Sequence, residues 1–141
     1  MLVRLMYASR AAEGLKPEAL SAILKKSTTS NPKHGVTGVL CFSGEVFLQV
    51  LEGGRSQVSA LYNRIAADPC HHDVVLLSYE EIAERHFAGW AMGQVNMSRL
   101  NPALLLKYSE VAALDPYAVS GAVSMALFNE LVATASVICL G

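Results

Sequence analysis

Hydrophobic and polar positions alternate over residues 3–8 around Arg4, in a run rich in strand-forming side chains, which predicts a first strand. Gly14 breaks this run. Pro17 suits the first turn of a helix and Glu18 favours its positive end. Leu20, Ile23, Leu24, Ser27 and Asn31 then fall on one helix face, apolar at its start and polar at its end. Pro32 is expected to end the helix by disfavouring helical geometry at Asn31. Residues 35–42 and 45–52 read as two strands joined at Ser43-Gly44 as a hairpin. After Gly53-Gly54, the positions Val58, Leu61, Tyr62 and Ile65 predict a second amphipathic helix that stops at Asp68-Pro69. Residues 73–79 read as a fourth strand. Residues 90–95 read as a short fifth one, with Trp90, Met92 and Gln94 on one face.

The order is β-α-β-β-α-β followed by a strand and helices, so the expected fold class is α+β and ferredoxin-like. Its two helices cover one face of a mostly antiparallel sheet and leave the other face for something else. The segment 117–140 is apolar and mostly helix-compatible, and it is expected to cap that open face or a subunit contact. Ser120, Gly121, Ser124, Asn129, Glu130 and Ser136 interrupt it, so it lacks the roughly 18 uninterrupted apolar residues a membrane span requires. The chain is read as residues 1–97 plus a helical extension, 98–141, forming one compact unit.

Composition sharpens this picture. Of 141 residues, 52% are hydrophobic and 16% charged, against about 25% charged in an average soluble domain, which argues for one well-buried core. After Asp115 the only charge is Glu130. A net charge of −1 without a basic block excludes the electrostatic footprint of a nucleic-acid binder. Three cysteines without a CxxC pair fit a reducing cytoplasm, and no secretion signal is visible. His71-His72 matches no zinc spacing, so no metal is expected.

Period-two alternation places Tyr7 with Val3 and Leu5, and Gln49 with Phe47 and Leu51. Strands one and three are neighbours in a ferredoxin-like sheet, so Tyr7 and Gln49 are expected close together under the helices. Asn31 and Ser27 extend the buried helix stripe toward the same region. Four uncharged polar side chains there suit a planar polar ligand with both donors and acceptors. Each also has an ordinary reading: a core tyrosine, a helix-terminal asparagine, an uninformative serine. Gln49 is the sharpest signal, because an amide in Val-Phe-Leu-Gln-Val-Leu is costly to bury unless both its ends are satisfied. Trp90 and Met92 could simply fill core space. Arg64, beside the stripe of the second helix, could be a solvated surface residue.

With these residues in view, the chain resembles the BLUF domains, blue-light sensors that bind FAD noncovalently. The stretches that carry the resemblance are Arg4-Leu-Met-Tyr7-Ala-Ser9, Asn31-Pro-Lys-His-Gly35-Val-Thr-Gly38-Val-Leu, Phe47-Leu-Gln49-Val-Leu-Glu-Gly53 and Phe87-Ala-Gly-Trp90-Ala-Met92. Together they cover about residues 1 to 97. The resemblance implies a flavin between the two helices, Tyr7 and Gln49 as the photoactive pair, and Asn31 on the isoalloxazine edge. It implies Trp90 and Met92 as signal relay, with Arg64 and His71 as further flavin contacts; Ser27, from its place on the stripe of the first helix, is expected to join them. Ser30 and Cys70 depart from the histidine or asparagine and the arginine common there, which bears on flavin affinity and dark recovery.

The family mechanism implies that Tyr7 yields an electron and a proton on excitation and that the Gln49 amide rearranges. A stronger bond to the flavin C4 carbonyl and a small red shift follow, with no substrate converted. The residues beyond 97 resemble short BLUF proteins ending in a helical cap, which implies a homo-oligomer and a separate partner, in some cases response-regulator-like. No nucleophile-elbow, Walker, dinucleotide or zinc-protease motif is present, so no enzyme activity is expected. The alternatives are an acylphosphatase-type ferredoxin-like enzyme, for which Ser9-Arg10 is a poor anion loop, and an interaction module without a chromophore.

Overall fold

The structure, a computed structural model, describes residues 1–14, 16–95, 101–134 and 137–139. The elements run β1 (Leu2–Ala11), α1 (Pro17–Ser30), a 3-10 turn (Pro32–His34), β2 (Thr37–Ser43), β3 (Val46–Gly54), α2 (Arg55–Ala67) and β4 (His71–Ile82). They continue with β5 (Gly93–Val95), α3 (Pro102–Tyr108), α4 (Gly121–Thr134) and β6 (Val137–Cys139). The strands form one sheet in the order β4-β1-β3-β2-β5-β6. Among the described residues, β2 and β5 alone pair in parallel; the other neighbours are antiparallel. This is the expected α+β sandwich, with one strand more than the sequence suggested.

The sheet has an apolar cluster on each face. Val3, Leu5, Tyr7, Phe47 and Leu51 point to the side of α2, where Val58 and Leu61 meet them. Met6, Ala8, Val39, Cys41, Leu48 and Val50 point to the other side, against Leu105 of α3 and Leu127, Phe128 and Leu131 of α4. The period-two alternation of β1 and β3 sorts these two sets. The helical tail thus covers the face that α1 and α2 leave open. The proposed boundary after residue 97 lies outside the described residues, as do the side chains of Leu20 and Leu24.

Several boundaries differ from expectation for local reasons. Asn31 keeps helical dihedrals, φ −58° and ψ −44°, although proline follows it. The helix therefore ends not through an extended Asn31 but because Pro32 has no N–H to donate. A 3-10 turn follows, closed by Gly35 at φ +67°. The hairpin pairs Ser43 with Val46, so its two-residue loop is Gly44-Glu45, one position later than expected, with Gly44 at φ +63°. The tail's interruptions have roles: Ser120 Oγ accepts a hydrogen bond from the Val123 N–H, capping α4, and Gly121 lies against the Leu77 carbonyl of β4.

The fifth strand is the main correction. It begins at Gly93, not at Trp90, and so the expected common face for Trp90, Met92 and Gln94 is not formed. The Gly38 N–H bonds to the Trp90 carbonyl and the Asn31 amide to the Ala91 carbonyl, outside any ladder. The chain turns across the sheet end there, so Trp90 packs with the far-face cluster and Met92 with the near-face one.

Candidate functional site

Tyr7 on β1 and Gln49 on β3 are directly opposite in the antiparallel register. Their side chains leave the same face, and the buried Tyr7 hydroxyl donates a hydrogen bond to Gln49 Oε1. Gln49 Nε2 donates to Met92 Sδ at 3.1 Å. The amide is thus engaged at both ends, as its burial requires, while one N–H and one lone pair remain for another group. Burial pushes the Tyr7 phenol far above the ordinary tyrosine range, and Tyr62, whose ring centroid is 5.7 Å away, adds to this. Tyr7 is therefore a neutral donor at every working pH.

Around this pair Ile23, Ser27 and Asn31 of α1 and its end face Leu61 and Ile65 of α2, above Leu40, Phe47 and His71 of the sheet. Asn31, almost fully buried, donates from Nδ2 to the Ala91 carbonyl at 3.1 Å, which leaves its amide oxygen as an acceptor. His71 packs its ring on Phe47 at 4.8 Å and shares a 2.8 Å hydrogen bond between Nδ1 and Ser9 Oγ. Burial lowers its pKa, against a smaller pull from Asp68. Ser27 lines the cleft, but its hydroxyl donates to the Ile23 carbonyl within the helix. Arg64 lies on the exposed side of α2, outside the lining.

The sequence reading therefore finds Tyr7, Gln49, Asn31, Ser27, His71 and Met92 gathered at one cleft, with Trp90 on the opposite face and Arg64 at the surface. It missed the Ala91 carbonyl and the Ser9 hydroxyl. Ala91 carried no side-chain signal, whereas Ser9 shares the period-two face of Tyr7 and could have been found.

A flavin fits this donor set. Its ring has flat apolar faces and an edge that alternates carbonyls with ring nitrogens. The cleft offers apolar side chains from both helices, and two amides, Gln49 and Asn31, with unspent donor or acceptor capacity. Among the described residues no group of three or more histidine, cysteine or carboxylate side chains could hold a metal, and no helix is long and apolar enough to cross a membrane.

Residues 2–93 match the family model described as sensors of blue-light using FAD. The photoactivated adenylate cyclase subunit beta of Euglena gracilis is 32% identical over 73% of this chain, which spans only 12% of that subunit's length. Among solved structures, the photo-activated state of BlsA superposes with a TM-score of 0.83 at 29% identity, covering 96% of this chain and 99% of that one. The dark-state structure of BlrB, a BLUF protein, gives 0.79 at 31% identity, covering 94% and 95%. The chain belongs to the BLUF family, whose domains sense blue light using FAD.

Proposed function

We propose that this chain is a blue-light photoreceptor that binds FAD noncovalently in the cleft between α1 and α2, with Tyr7 and Gln49 as its photoactive pair. The observation that carries this reading is the buried hydrogen bond from the Tyr7 hydroxyl to Gln49, continued from Gln49 to Met92. Asn31 and His71 would hold the ring, and Ser27 and Arg64 are the more peripheral contacts. When bound, the flavin supplies the absorption of blue light and an excited acceptor for an electron and a proton.

The chain's own residues supply the switch. Tyr7 holds its proton against all ordinary pH because its phenol is buried. Gln49 has a donor end and an acceptor end that differ only by orientation or tautomer. Turning the amide would bring Oε1 toward Met92, whose thioether has no hydrogen to donate, so rearrangement of Gln49 breaks its link to residue 92. Because residues 90–92 cross between the two faces, Met92 and Trp90 connect the cleft to the cluster under α3 and α4. The energy is held as an altered hydrogen-bond network, with no substrate converted. The output would pass through the C-terminal helices of a cytoplasmic homo-oligomer to a separate signalling protein, such as a response regulator.

An absorption spectrum of the purified protein in darkness and under blue light tests this. A flavin band that shifts reversibly to the red is expected, and Tyr7→Phe and Gln49→Leu should each retain flavin and lose the shift. A colourless wild type that cannot be loaded with FAD, or a normal photocycle in either variant, would refute it.

A further inference from the structure

Glu52 is wholly buried at the end of β3, three residues beyond Gln49. Its carboxylate is surrounded by donors. Oε2 accepts from Arg4 Nε at 2.8 Å, lies 2.8 Å from Arg4 Nη2, and accepts from the His86 backbone N–H at 3.0 Å. Oε1 accepts from the Phe87 N–H at 2.7 Å. The last two bonds hold not the sheet but the segment that follows β4. That segment runs on to Trp90, Ala91 and Met92, which contact Gly38, Asn31 and Gln49 respectively. Arg85 fastens the same segment from outside, donating to the Gly35 carbonyl at 2.7 Å and to Thr37 Oγ1 at 3.0 Å.

These fastenings converge on one strap, residues 85–87, and the wholly buried one among them is the Glu52 carboxylate. The Phe87 ring, seated by that bond, meets Phe128 of α4 edge-on at 5.9 Å. We propose that Glu52 is a positioning residue for the photocycle: by holding the His86 and Phe87 backbone it fixes where Ala91 and Met92 meet Asn31 and Gln49. This rests on the photoreceptor reading above. Among the described residues all of its partners donate, so a carboxylate satisfies them and an amide of the same size cannot. In Glu52→Gln an N–H group must confront either Phe87 or the Arg4 and His86 donors.

The strap then loosens while Tyr7, Gln49 and Met92 remain chemically intact. With Met92 less firmly held, the bond that Gln49 remakes on returning is weaker, and return has the higher barrier. The experiment is dark recovery of the flavin band after a blue pulse, in full-length wild type, Glu52→Gln, Met92→Ala and the double variant, each loaded with FAD. Glu52→Gln is expected to retain the red shift and to recover more slowly by on the order of tenfold. It should add little on the Met92→Ala background, since the strap then has no sulfur to position.

Faster recovery, recovery within about twofold of wild type, or the same factor on both backgrounds overturns the proposal. A carboxylate needed only for folding would give that result together with a lower melting temperature. If Glu52→Gln does not fold, Glu52→Asp keeps the charge beside Arg4 but withdraws the carboxylate from Phe87; slower recovery supports the proposal, and unchanged or faster recovery overturns it. A wild type without any red shift would overturn the photoreceptor reading and this proposal with it. A wild type that photocycles beside a Glu52→Gln of equal recovery overturns this proposal alone.

Discussion

His71 is held on one side by Ser9 Oγ and on the other by the Phe47 ring, and its burial favours the neutral imidazole. Its folded pKa therefore lies below the ordinary histidine value of about 6.5, and the unfolded chain binds more protons in that window. Stability is present above about pH 6.5 and is lost as the pH falls through the folded value. The melting temperature is expected to decline from about pH 7.5 to about pH 5.5, and His71→Gln, which cannot titrate, should flatten that slope. A slope unchanged by the substitution would assign it elsewhere. Asp68, whose pKa is lowered first of all by the Cys70 backbone N–H, makes its contribution only at more acidic pH and does not confuse the test.

The same scale shows what single residues disclose. Gln49 was legible because an amide inside an apolar strand needs partners, and the structure supplies Tyr7 and Met92. Glu52 sits in the same run and follows the same logic, a charge that must be paired to be buried. Its partners Arg4 and the backbone of residues 86 and 87 come from distant segments, so the sequence shows the demand without showing what meets it.

Strands and helices with a long, regular pattern were legible as elements. β1, β3, α1 and α2 stand where periodicity put them, because each is long enough for its pattern to repeat several times. β5 and β6 have three residues each, too few for alternation to register; β5 pairs with the sheet edge that β2 offers, and β6 with the edge of β5. Residues 90–92 were misread because period two governs a chain only while it lies in a ladder.

Element contacts also make Gly121 informative. A β-carbon there would lie 2.2 Å from the Leu77 carbonyl oxygen, a backbone atom that cannot step aside without moving β4. Alanine favours a helix over glycine by about 1 kcal/mol, yet overpacking costs typically 1–3 kcal/mol and has the larger claim here. Gly121→Ala should lower the melting temperature by roughly 5–10 °C, and an increase would show that α4 can lift away from β4 without loss.

At the scale of the whole molecule, the excess of apolar over charged residues reflects a sheet buried on both faces. The near-face cluster alone would account for a domain with one wet face, and alternation would then put polar residues on the other. Instead Met6, Val39, Leu48 and Val50 are fully buried on the far face, beneath Leu127, Phe128 and Leu131. Glu130 supports this cap from its surface, pairing with Lys107 at 2.8 Å and so tying α4 to α3. Covering a fully buried aliphatic side chain is worth about 1.5–3 kcal/mol, so four of them exposed together forfeit about 6–12 kcal/mol, comparable with the whole stability of a domain. Removing residues 101–141 should therefore leave a chain that self-associates or precipitates, or that melts well below the intact protein when it stays in solution. Size-exclusion chromatography and thermal unfolding of the two chains at equal concentration would decide the matter. A shortened chain that remained monodisperse and melted at the intact temperature would show that the cap is an appendage, and the chain would then divide into two units where the packing of Phe87 against Phe128 joins them into one.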